Sequence, residues 1–156
     1  MSTKDIEDIP MADLKDYFNQ VHEKFVCTAS KVGEPNVCLM GTARISEAGA
    51  VEFEISDLIS VTLDNILENK FITFMAYLPG PRARDYTGVR IYAEVTEIMT
   101  SGEKLEVIRE SLRARFGEEK AAELRATVSC RINRLRPVVD RGQTWNVLPF
   151  APADHA

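Results

Sequence analysis

The sequence predicts a mainly β fold, a small six-stranded antiparallel barrel with peripheral helices. Six segments are rich in β-branched, aromatic and alternating apolar residues. Helical periodicity is confined to short stretches, and the strands follow one another too closely for βαβ units. Closing such a sheet on itself removes the exposed edges that an open one would leave.

The elements follow in order. Met11, Leu14, Phe18 and Val21 recur at helical spacing, and Pro10 suits the opening of that helix. Residues 24–31 (KFVCTASK) form the first strand, and the turn Val32-Gly33-Glu34-Pro35 leads to a second strand over 36–45 (NVCLMGTARI). After Ser46-Glu47-Ala48-Gly49, residues 51–55 (VEFEI) alternate apolar and acidic, so one face is in a core and the other in water. These three strands are expected to form a meander.

A short amphipathic helix carries Leu63, Ile66 and Leu67, and residues 71–77 (FITFMAY) make the fourth strand. Residues 78–88, with two prolines and two glycines, read as loop. The fifth strand spans 89–99 (VRIYAEVTEIM). Thr100-Ser101-Gly102-Glu103 matches a capping box, Thr-x-x-Glu, before a helix that presents Leu105, Ile108, Leu112 and Phe116 and stops at Gly117. A second helix over 118–125 precedes the sixth strand, 127–135 (TVSCRINRL). The whole of 1–156 is expected to be one domain, with an N-terminal helical region over 1–22 and a Pro-rich tail over 136–156.

Composition excludes several kinds of function. Nineteen Lys and Arg against twenty-four Asp and Glu leave a net charge of −5, the wrong sign for a general nucleic-acid binder or for attraction to an anionic membrane. Net charge does not exclude one local basic pocket. Cys27, Cys38 and Cys130 are widely spaced and lack a CxxC pair, so neither a disulfide framework nor a zinc ribbon is expected. With only His22 and His155, a metal site or a Ser/His/Asp triad has little to draw on. The acidic start carries no signal-peptide core, and no run approaches the roughly 18 apolar residues of a membrane span. A reduced, cytoplasmic protein is expected, in which difficult chemistry would belong to a bound cofactor.

Three places are candidates for that binding. Ser60 and Thr62 sit where a strand gives way to a helix, and free backbone N–H groups beside hydroxyls cradle phosphate well. A plain N-cap, with Asn65 an ordinary exposed helix residue, is the simpler alternative. Arg90, between Val89 and Ile91, either faces solvent or meets an anion, and Arg82 and Arg84 lie in the loop before it. Met40-Gly41-Thr42-Ala43 places a glycine inside an apolar strand, which marks either close approach of a ligand or a bulge that bends the barrel. Trp145, the single tryptophan, lies in the tail as a cover for a planar ligand, a dimer anchor or a cap on its own core.

These segments, in this order, resemble a family. Glu34-Pro35-Asn36-Val37, Gly41-Thr42-Ala43-Arg44, Asp57-Leu58 ahead of Thr62-Leu63-Asp64-Asn65, Gly88-Val89-Arg90-Ile91-Tyr92 and Thr100-Ser101-Gly102-Glu103 look like the pyridoxamine-phosphate-oxidase-like FMN-binding split barrels. The likeness is good from Phe25 to Met99 and looser in the tail, and it is specific for the superfamily rather than for one reaction. It implies a homodimeric six-stranded split barrel with FMN at the dimer interface. It also implies that Met40, Gly41, Thr42 and Ala43 line the isoalloxazine ring. Ser60, Val61 and Thr62 would receive the phosphate, with Arg90 as counter-charge and Asn65 as an amide donor. Trp145 would approach from the other subunit.

Two departures from the family bear on function. Val61 stands where many members carry lysine, and Cys38 and Ala43 stand at strand positions that are basic in the true oxidases. An FMN-dependent oxidoreductase is therefore expected, but not pyridoxamine-phosphate oxidation. No side chain reads as a general acid or base, since Tyr77, Tyr86 and Tyr92 suit packing better. A non-catalytic FMN carrier is the first alternative, and a haem-binding or haem-degrading barrel the second.

Overall fold

The computed structural model describes residues 10–56 and 60–139. The elements run α1 (Met11–Gln20), β1 (Lys24–Ala29), β2 (Pro35–Leu39), β3 (Arg44–Ile45), β4 (Val51–Ile55), α2 (Val61–Glu68), β5 (Phe71–Leu78), β6 (Thr87–Met99), α3 (Glu103–Phe116), α4 (Glu118–Glu123) and β7 (Ala126–Pro137). The strands build one antiparallel sheet in the order β2-β1-β5-β6-β7-β4-β3.

The expected second strand is two strands. It breaks at Met40–Ala43, after which β2 lies at one edge of the sheet and β3 at the other. Four residues reach only about 14 Å even when extended. The sheet must therefore curl until its two edges approach, which makes it a split barrel. The expected meander is corrected by the same fact: β1–β2 is one hairpin and β3–β4 another, at opposite edges.

Alternation along the strands fills the barrel. Cys38, Val26, Phe74, Ile91 and Leu135 are cross-strand partners in one row, and most of this row is fully buried. α1 lays Leu14 and Phe18 into the same core, and Phe18 meets Phe74 edge to face. Asn19 pairs with the backbone of Ile45, accepting from its N–H at 2.7 Å and donating to its carbonyl at 3.0 Å, so the helix also satisfies edge strand β3.

α3 differs from its sequence reading at the N-terminus. Its cap is Gly102, with φ 107° and no side-chain bond, so Thr100 and Glu103 form no capping box. Glycine tolerates this backbone, and the helix starts two residues later than the motif implies. Leu105 is buried as expected, while Phe116 is 59% exposed. Gly117 ends the helix at φ 94°. Among the described residues, no helix is long and apolar enough to cross a membrane.

Candidate functional site

The segment leading into α2 forms one wall of an open cleft of about 480 Å³, within the roughly 300–1,000 Å³ of small-molecule sites. Ser60 is the N-cap, and its Oγ accepts from the Leu63 N–H at 3.0 Å. The Asp64 N–H donates to the Ser60 carbonyl. The N–H groups of Val61 and Thr62 precede the first intrahelical bond and have no acceptor within the helix. Helix-end dipole and N–H groups together favour an anion here.

The opposite wall is β2 and the chain beyond it, with Asn36, Cys38, Leu39 and Met40, while Glu54, Ser56 and Glu123 of α4 form the rim. Thr62 is buried, with its Oγ1 3.5 Å from Cys38 Sγ. Glu54 is held by Arg44 in a bidentate pair at 2.7 and 2.8 Å, and Glu123 by Lys120 at 3.3 Å. No Lys, Arg or aromatic residue lines this cleft among the described residues.

The site residues expected from the sequence are thus only partly gathered. Met40, Ser60, Val61 and Thr62 share the cleft. Gly41, Thr42 and Ala43 form the crossover beside it, where a Cβ added at Gly41 would meet nothing within 4 Å. Asn65 is buried and donates to Thr28 Oγ1 at 3.0 Å, so this amide ties α2 to β1.

Arg90 is elsewhere. It shares the outer face of the sheet with Leu39, Phe25, Met75 and Arg136, and its Nε donates to the Pro137 carbonyl at 2.8 Å. Three strand spacings, about 14 Å, separate β6 from β2. Arg82 is committed to Asp85, whose carboxyl it holds below the usual carboxylate range. Trp145, Asp57 and Leu58 lie outside the described residues.

The strands expected over 24–31 and 36–45 put Cys27 and Cys38 on adjacent strands. Their registers, Cys27 opposite Val37 and Cys38 opposite Val26, turn them to opposite sheet faces, and both are free thiols. Cys38 therefore meets the cleft while Cys27 faces outward. Glu54 has a sequence signal in the alternation of residues 51–55. Glu123 has none, because only the docking of α4 brings it to the rim.

Lys24 is the unexpected residue beneath the site. It is buried, its Nζ donates to the Ala43 carbonyl at 2.6 Å, and the same ammonium lies 4.6 Å from the Phe18 ring centroid. Its carbonyl accepts from the Met40 N–H at 2.9 Å. One residue thus holds both ends of the crossover.

Burial, with Arg44 nearby, pushes the Lys24 ammonium down to about 8. The unfolded chain keeps this proton to about pH 10.4. Between those values the unfolded state binds more protons, so the contribution of Lys24 to stability rises with pH. In urea unfolding from pH 7 to 10.5, wild type should gain stability relative to Lys24→Met as pH rises. Burial pushes Cys130 and Tyr17 up to about 12, and both titrate alike in the two proteins and cancel. A pH-independent difference would remove Lys24 as the responsible group.

The fold is the pyridoxamine-phosphate-oxidase-like split barrel. No family model and no curated protein matches the chain, but solved structures do. An FMN-binding protein from Syntrophomonas wolfei is similar at TM-score 0.65 and 15% identity, over 83% of this chain and 86% of that one. A candidate pyridoxamine 5'-phosphate oxidase from Lactobacillus delbrueckii gives 0.64 and 14%, over 87% and 99%. The haem storage protein HutZ from Vibrio cholerae gives 0.58 and 16%, over 80% and 92%.

Proposed function

We propose that this protein binds FMN between two copies of itself and serves as an FMN-dependent oxidoreductase. The observation that supports this most is the cleft, which Ser60, Val61 and Thr62 at the start of α2 share with Met40, the first residue of the crossover. The phosphate would rest on Ser60, Val61 and Thr62, and the ring would run along Met40, Gly41, Thr42 and Ala43, where Gly41 leaves the backbone open. Bound there, the flavin would supply hydride and electron transfer, while the protein orients it and limits water. Cys38 and Ala43 in place of basic residues still argue against pyridoxamine phosphate as substrate.

Titration of purified protein with FMN should quench flavin fluorescence and saturate at one FMN per chain. Anaerobic NADH or NADPH should then bleach the bound flavin. Bleaching only by dithionite or a protein donor would make the protein a carrier. The likeness to HutZ favours haem as the second ligand to test. A Soret shift with haemin and no response to FMN would overturn the flavin reading.

A further inference from the structure

Lys24 carries a buried charge that the proposed binding does not use directly. It opens β1, yet it is only 3% exposed, with Ala76 of β5 as its cross-strand partner and the Phe18 ring of α1 against its ammonium. A lysine is almost never enclosed in this way unless its charge is engaged. Here the engagement is with the crossover. Its Nζ donates to the Ala43 carbonyl at 2.6 Å, and its own carbonyl accepts from the Met40 N–H at 2.9 Å.

Together the two bonds span the split of the barrel. Lys24 belongs to β1, beside edge strand β2, whereas Ala43 leads into β3 at the opposite edge. The ammonium thus bridges the seam from the barrel side and fixes where the crossover ends.

We infer that Lys24 is the positioning residue of the cleft: its ammonium holds the Met40–Ala43 crossover in the ligand-binding conformation and keeps its proton more tightly when an anionic ligand is bound. This rests on the proposed FMN binding and adds a pH control to the same site.

Two effects compete when an anion enters the cleft. Negative charge near an ammonium favours the proton, whereas loss of water disfavours it. Lys24 is already buried without ligand, so little further water can be removed and the charge effect prevails. Burial and Arg44 bring the ammonium down to about 8, which puts the exchange within the range of ordinary buffers. Arg44 of β3 is itself held by Glu52 and Glu54 of β4. Phe18 and Ala76 bring no charge, and Tyr17 of α1, pushed up to about 12, titrates above this range. Cys38 on neighbouring β2 is common to wild type and any Lys24 variant.

The test compares FMN affinity of wild type and Lys24→Met between pH 7 and 9.5. Methionine keeps a stem of similar length and removes both donor and charge. At pH 7 the variant should bind FMN about tenfold more weakly, the effect of one hydrogen bond lost from the bound state. The ratio of the two affinities should then shrink toward one as pH rises through 8 and beyond. Linkage makes these the same quantity, because what the ammonium adds to affinity is what its deprotonation removes. A lysine that served packing alone would weaken binding equally at every pH.

A constant ratio, or equal affinities at pH 7, overturns the role of Lys24 and leaves FMN binding intact. If Lys24→Met fails to fold, calorimetry of wild type with FMN at pH 8.5, in two buffers of different ionisation enthalpy, decides instead. Net proton uptake on binding is the expected result, and none overturns the inference. A wild-type protein that binds no FMN anywhere in this range overturns the proposed function itself, and this reading with it.

Discussion

Phe74→Ala should lower the unfolding free energy by about 3–5 kcal/mol, the cost of truncating a buried aromatic side chain. Phe74 is fully buried on β5, with the Phe53 ring of β4 5.6 Å away at 69° and the Phe18 ring of α1 6.3 Å away at 85°. β4 and β5 are not neighbours in the sheet. The Phe53 contact therefore crosses the barrel interior and joins its two halves, while Phe18 adds the helix. Edge-to-face pairs contribute beyond their buried area, and a domain's whole stability is only about 5–15 kcal/mol. Urea unfolding followed by circular dichroism measures the loss. A loss below about 1 kcal/mol would mean that the interior collapses around the gap and that Phe74 is not the bridge.

Gly88→Ala should destabilise by about 3 kcal/mol, at or beyond the upper end of ordinary overpacking. A Cβ at Gly88 would stand 2.2 Å from the Ala76 carbonyl oxygen and 2.8 Å from Tyr77 Cα, at φ 154°. Both neighbours are backbone of β5, so relief requires the strands to part where Gly88 pairs with Tyr77. Gly41→Ala is the control: nothing stands within 4 Å and φ is not positive, so the change should stay within about 1 kcal/mol. Equal effects at the two glycines would refute the steric account.

The site was legible where it depends on local chemistry. Ser60 followed by Leu63 and Ile66 announces a helix start, and the structure has an N-cap there. Arg90 was less legible. Between Val89 and Ile91 it had to face away from them, but alternation does not say which of the two faces carries the cleft. Lys24 went unnoticed because a lysine that opens a strand reads as a solvated end. Its shared parity with Val26 was the available signal, since period two turns both to one face. Glu123 reaches the cleft only through the packing of α4, which no short-range pattern encodes.

The amino-acid sequence by itself determined the mainly β character, the positions of the strands other than the second, the helix start at Ser60 and the scarcity of metal ligands. These depend on residue type and on spacing over a few positions. Only the tertiary structure decided that residues 36–45 divide between opposite sheet edges, that Lys24 is enclosed beneath the crossover and that Arg90 faces outward. Each of those depends on which distant strand is a neighbour. Pairing partners are chosen by the closure of the whole sheet, whereas alternation fixes only which residues of one strand share a side.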